Sequence, residues 1–179
     1  MKKNAWVSAM FLFLVLFSAM IACQGITWAA DPATYEQTVA RWTSYKDVAD
    51  WMHKEFSYDQ GKSKMVHGWQ PQTPEQSFKS KSGICQDGAL FAKDALNRIN
   101  PAYHAKIVFI KNRQGPPHHW VTSLRVDGKL YIIDYAAGRN WRSMMGVHGP
   151  YDSLDDYKRF LSSLAVPKFD CELVTETDK

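Results

Sequence analysis

Three cysteines in 179 residues are too few for a fold built on disulfides. One of them, Cys23, falls in the first thirty residues, so the rest of the chain keeps only Cys85 and Cys171. Neither an HExxH nor a CxxC spacing occurs, so zinc chemistry lacks its usual ligand pattern. A metal site from His118, His119 and either His104 or His148 ranks last among the readings, because adjacent histidines on a strand point to opposite faces. Basic runs interleaved with aromatics, internal repeats and low-complexity tracts are missing as well, and nucleic acid drops out as a partner. Lys62, Lys64, Lys79 and Lys81 form one mildly basic stretch, read as a solvated loop. No cofactor or metal is expected. Beyond residue 30 no apolar run is long enough to span a bilayer.

The one long apolar run is at the start. Lys2 and Lys3 precede a stretch from Ala9 to Ala22 that is almost wholly apolar, which reads as an export signal. Thr27-Trp28-Ala29 or Ala29-Ala30 fits a signal peptidase, giving a leader over 1–30 and a mature chain over 31–179. Met20-Ile21-Ala22-Cys23 also reads as a lipoprotein box, with Cys23 as a lipid anchor. The expected location is outside the cytoplasm, periplasmic or secreted. Setting Lys2 and Lys3 aside from 22 basic residues, against 18 acidic ones, leaves a net charge of about +2, which points to no polyanionic partner. The mature length suits one domain with a real core.

The rest of the chain is organised around Ser82-Gly83-Ile84-Cys85-Gln86-Asp87-Gly88-Ala89. From Cys85 onward Ala89, Leu90, Ala92, Leu96 and Ile99 recur at helical spacing, with Lys93, Asp94 and Arg98 on the other side. Cys85 therefore opens a helix, where unpaired N–H groups and the macrodipole favour an anion. Thiolate is the form of cysteine that attacks a carbonyl. The alternative is a small buried cysteine that only packs. Cys171 reads as a passive residue of a C-terminal strand, and Cys85 is expected to be free, because a bridge between the two would block the nucleophile.

Two later stretches favour the reactive reading. Pro116-Pro117-His118-His119-Trp120-Val121 begins a strand, and Leu130-Tyr131-Ile132-Ile133-Asp134 ends one, with the hairpin signal Asp127-Gly128 between them. The order is Cys85, then His119 or His118, then Asp134. If Asp127-Gly128 is a two-residue turn, Val126 faces Lys129 and Val121 faces Asp134. His119 then shares a sheet face with Asp134, and His118 points away. A three-residue loop reverses that answer.

These residues resemble the transglutaminase-like branch of the papain-like superfamily. The resemblance rests on Trp69, Thr73-Pro74-Glu75, Gly83-x-Cys85-x-Asp87-x-Ala89, the His-Trp-Val stretch and Asp134 after a short hairpin, from about Trp51 to about Tyr135. Within that branch the chain resembles the bacterial transglutaminase-like cysteine peptidases. The family's common His-x-Trp pattern fits His118, whereas the spacing to Asp134 fits His119. Several of those relatives carry acidic residues beside the cysteine and are associated with calcium. Here the flanks are Ile84 and Gln86, which leaves Asp87 too few hard oxygen companions for a calcium site. Asp87 is instead expected to serve first-turn N–H groups.

The remaining pattern fits an α+β fold, helices packed on an antiparallel β-sheet, with a papain/transglutaminase-like core and the cysteine at a helix N-terminus. Two helices begin near Tyr35 and Ser44, a short one at Thr73, and a last one at Asp152 or Ser153. Strands fall over Ala105–Lys111, the hairpin, and Lys168–Val174 at an edge. Ala136 to Pro150 reads as a long irregular connection, flexible enough for a lid. Trp69 is the expected cleft wall or a cover of the core edge. Gln70 or Gln72 is an optional oxyanion donor beside the Cys85 N–H.

The chemistry implied is acyl transfer through a thioester. Cys85 attacks, the histidine holds and returns the proton, and Asp134 orients the ring. With water as second substrate the enzyme is a peptidase or amidase acting on a protein or peptide. With an amine it is a transglutaminase or other acyltransferase. A non-catalytic binding module on the same fold is the rival of another class.

Overall fold

The computed structural model describes residues 33–65 and 70–177. The leader over 1–30, Cys23 and Trp69 lie outside the described residues. Helices come first, and their starts follow from local capping chemistry. α1 (Tyr35–Val39) opens with Thr34 and Gln37 exchanging side-chain and backbone bonds. α2 (Tyr45–Glu55) opens where Asp47 Oδ2 accepts from Ser44 N at 2.9 Å and Thr43 N at 2.8 Å. After α2 come β1 (Ser57–Tyr58) and a 3₁₀ turn over Lys62–Lys64. α3 (Pro74–Ser80) has the reciprocal Thr73 and Gln76 cap and a proline in its first turn. β2 (Ser82–Gly83) then pairs in parallel with β1, setting Tyr58 opposite Gly83. α4 (Cys85–Ile99) follows at once.

The second half of the chain builds an antiparallel sheet of five strands. They are β3 (Lys106–Asn112), β4 (His119–Val126), β5 (Lys129–Asp134), β6 (Gly146–Tyr151) and β7 (Cys171–Thr177), in the order β6-β5-β4-β3-β7. α5 (Leu154–Ser163) joins β6 to β7 and is capped by Ser153 with Asp156. The β4–β5 turn has two residues, Asp127 (φ 51°) and Gly128 (φ 77°). Both are left-handed, as the hairpin's primed turn requires, and Val126 pairs with Lys129.

Alternation along the strands divides the core in two. Leu124 and Ile133 face α2 and α4, where Met52, Phe91 and Leu96 are buried. Val121, Leu130 and Ile132 face the other way, onto Tyr157 and Leu161 of α5. Full burial of each such side chain contributes ~1.5–3 kcal/mol, so both faces of the sheet carry the fold. α4 is pinned to β4 by Thr122, whose buried hydroxyl donates to the Ala89 carbonyl at 2.8 Å. At Gly88 a Cβ would lie 2.5 Å from the Ala136 Cβ, and this close approach seats α4 against the residues that follow Asp134.

The connection from Ala136 to Pro150 is more ordered than its composition implies. Arg139–Met144 is a 3₁₀ segment with a kink at Trp141, and Gly146–Tyr151 is an edge strand hydrogen-bonded to β5. Glycine and proline mask the strand locally. Gly146 (φ 140°) and Gly149 (φ 129°) take conformations open to glycine, and proline is tolerated at a sheet edge. This segment is therefore part of the sheet, and the expectation of a loose lid is corrected.

Candidate active site

Cys85 is the first residue of α4 and is 8% exposed. Its N–H, like the others of the first turn, has no acceptor within the helix. The turn below it is held by Asp87, a fully buried carboxylate. Asp87 Oδ2 accepts from Ile84 N at 2.8 Å, and Oδ1 from Gln72 N at 2.8 Å. Lys62 Nζ lies 2.7 and 2.8 Å from the two oxygens. Asp87 thus serves the N-cap amide, where first-turn N–H groups were expected, and also ties two points of the preceding loop to the helix start. At Gly83 a Cβ would lie 2.6 Å from Asp87 Cβ and 2.8 Å from Oδ2, so only a glycine leaves space for the carboxylate. Lys62 is correspondingly not a solvated residue: its side chain is 11% exposed. Lys81, by contrast, makes a half-exposed pair with Glu55.

The hairpin delivers the other two groups. His119 opens β4, Asp134 closes β5, and both are almost fully buried. The register pairs Thr122 with Ile133, and alternation on either side of that pair sets His119 and Asp134 on one face. His119 Nε2–H donates to Asp134 Oδ2 at 2.7 Å, and Ala136 N donates to Oδ1 at 3.3 Å. A carboxylate only accepts, so the proton of the shorter bond sits on Nε2, and Nδ1 is the nitrogen left for the thiol. Burial works against a charged ring. The Asp134 carboxylate and its hydrogen bond outweigh that burial, and hydrogen bonding and charge from Cys85 add to them, so the His119 pKa is pushed up to about 10. The ring of Trp141 stands edge-on to His119 at 5.7 Å, fixed by its own Nε1–H to the Pro167 carbonyl at 3.2 Å.

His118 has a different setting. Its Nδ1 accepts from Asn112 N at 3.2 Å, and its ring meets Phe109 edge-on at 5.5 Å. It closes the open end of the β3–β4 pair and has no hydrogen bond to Asp134. Gln72 is a brace: its Oε1 accepts from Ser77 Oγ at 3.1 Å and Ser80 Oγ at 3.3 Å, while its backbone serves Asp87. Gln70 is exposed. Tyr58, which the sequence did not single out, lays its ring 3.5 Å from where a Gly138 Cβ would be. Burial raises its pKa, and the charge of Cys85 adds to that. Cys171 is free and buried in β7, and burial pushes its thiol up to about 11. Among the described residues no group of three or more His, Cys, Asp or Glu side chains is placed to hold a metal ion.

The sequence model of the transglutaminase-like domain matches residues 34–138, more than half of the chain. The chain belongs to the transglutaminase-like domain family. The family's match runs from the N-cap of α1 to the loop after β5, so it takes in Cys85, His119 and Asp134 and stops short of β6, α5 and β7. UPF0252 protein PH1321 of Pyrococcus horikoshii is 31% identical over 85 residues, 46% of this chain. Those residues are 24% of PH1321, so the chain spans about a quarter of that relative's length. Among solved structures, Legionella pneumophila LapG in its calcium-bound form is similar at 17% identity, over 52% of each chain, with a TM-score of 0.43. A transglutaminase crystal structure is similar at 16% identity, over 82% of this chain and 38% of its own, with a TM-score of 0.40.

Proposed function

We propose that this transglutaminase-like chain is an exported cysteine-dependent amide or peptide hydrolase that works through a thioester. The observation that carries the reading is the buried His119–Asp134 bond at 2.7 Å, on a ring that also feels hydrogen bonding and charge from Cys85, the residue that opens a helix. In the proposed reaction Cys85 Sγ attacks the amide carbon, and His119 Nδ1 holds the thiol's proton. The Cys85 N–H donates to the developing oxyanion, as its place at the helix start favours. Collapse of the tetrahedral intermediate breaks the C–N bond, and the imidazolium gives its proton to the leaving amine. Water then attacks the thioester with His119 as base, releasing the acid and the thiol. Asp134 keeps the ring in one tautomer throughout and stabilises its charged form. An amine in place of water would make the same site a transferase, and product analysis in the presence of a primary amine decides between them.

Export is part of the proposal and rests on the apolar stretch after Lys2 and Lys3. Among the described residues no helix is long and apolar enough to cross a membrane. The test of the chemistry uses the mature chain on a mixed peptide library, read by mass spectrometry. Cys85→Ala should end cleavage while the far-UV circular dichroism is unchanged, and Cys171→Ser should leave cleavage intact. Cleavage that survives Cys85→Ala would sink the cysteine mechanism.

A further inference from the structure

Tyr157 has no part in the chemistry above, yet its setting demands an explanation. It is fully buried, and its hydroxyl is the one buried side-chain polar atom among the described residues without a hydrogen-bond partner. A buried hydroxyl left unpaired keeps its full desolvation penalty, and native proteins leave few of them. The ring is held between Tyr151 at 5.8 Å and Phe160 at 6.2 Å, so the hydroxyl cannot swing out to solvent without opening the core.

The sheet face under Tyr157 carries the complementary deficit. Tyr157 packs in the same cluster as Ile132, and Asp134 follows Ile132 on that face of β5. The Asp134 carboxylate is 2% exposed and accepts one short bond from His119 and one long bond, 3.3 Å, from Ala136 N. An ionised carboxylate has about four acceptor positions, so Oδ1 has capacity to spare. Of the charges that act on the Tyr157 hydroxyl, Asp134 is the foremost. A donor without an acceptor and a carboxylate short of donors thus lie on one face of the sheet.

We infer that Tyr157 is a positioning residue, whose hydroxyl is joined to Asp134 through one buried water and so fixes the carboxylate that orients His119. A buried water typically makes two to four hydrogen bonds to groups of this kind. The family's sequence match ends before α5, so this support comes from a part of the chain that the family pattern does not cover. The inference deepens the proposed reaction and rests on it for its catalytic meaning, but its test needs no turnover.

The experiment is a double-mutant cycle between Tyr157→Phe and Asp134→Ala, read by urea unfolding and, in the Asp134 background, by the downfield proton resonance of His119 Nε2–H. Phenylalanine keeps the ring and removes only the oxygen. If the hydroxyl is joined to Asp134, Tyr157→Phe lowers the unfolding midpoint, moves the His119 resonance and slows iodoacetamide labelling of Cys85 about fivefold. It then costs nothing further in the Asp134→Ala background, where no acceptor is left. A Tyr157→Phe protein that is as stable as wild type or more so, with the resonance unmoved, overturns the inference, because removing an orphan hydroxyl relieves a penalty. Equal losses in both backgrounds overturn it too, by assigning the hydroxyl another partner. In the unaltered protein, a cross-relaxation peak between a long-lived water and the Tyr157 ring is expected, and its absence counts against the inference whatever the variants do. Failure of the hydrolase reading is seen separately, as turnover that does not depend on Cys85.

Discussion

Asp87→Ala should cost about 3–5 kcal/mol of folding stability, the range for removing one partner of a buried ion pair. The structure shows why the upper part of that range applies. The carboxylate is fully buried and its removal strands two backbone donors, Ile84 N and Gln72 N, each 2.8 Å from it, and takes from Lys62 a carboxylate 2.7 Å away. Each stranded backbone N–H alone is worth about 1–3 kcal/mol, and the Lys62 side chain is only 11% exposed, which limits how far water can make up for the lost charge. A domain's whole stability is about 5–15 kcal/mol, so the variant should fold but with much of its margin gone. Lys62→Met should cost less, because Asp87 then keeps two backbone donors. The assay is urea unfolding followed by tryptophan fluorescence, with the slope checked for constancy. Cys85 labelling by iodoacetamide should slow in Asp87→Ala as the helix start loosens. A loss below about 1 kcal/mol, or a Lys62→Met variant less stable than Asp87→Ala, would refute the account of Asp87 as the tie between loop and helix.

Two further outcomes follow from the hairpin. His119→Ala should abolish cleavage and slow Cys85 labelling by at least an order of magnitude, whereas His118→Ala should change either by less than about threefold, and the opposite pattern would move the base to His118. The second outcome is a pH effect. His119 holds its proton more tightly folded than unfolded, so the stability from its pairing with Asp134 is fully present below about pH 6.5 and is lost as pH rises toward about 10. The stability gap between wild type and His119→Gln should therefore narrow from pH 6 to pH 10, and a gap that widens would reverse the assigned direction.

Much of this fold is legible residue by residue because its boundaries are set by local chemistry. Thr73-Pro74-Glu75-Gln76 caps α3 from within four residues, and Asp127-Gly128 fixes the register that sets His119 beside Asp134. The features that sequence does not reveal depend on partners far along the chain. Lys62 looks solvated until the fold brings it to Asp87, and Tyr157 looks like any core aromatic until the fold buries its hydroxyl without a partner. β6 was hidden for another reason: an edge strand can use glycine and proline, which in isolation spell a loop. Trp141, which stands against His119, sits within that same misread connection.

The bond from Thr122 to Ala89 joins segments 33 residues apart, whereas His119 and Asp134 are 15 apart across a tight turn. The hairpin can thus form early and alone, while the helix that carries the sulfur must close a longer loop to reach it. On the proposed mechanism, reactivity therefore waits for that second closure. A nascent or unfolded copy would carry an ordinary thiol, harmless to its neighbours, and would become a reagent only once α4 has docked on the hairpin.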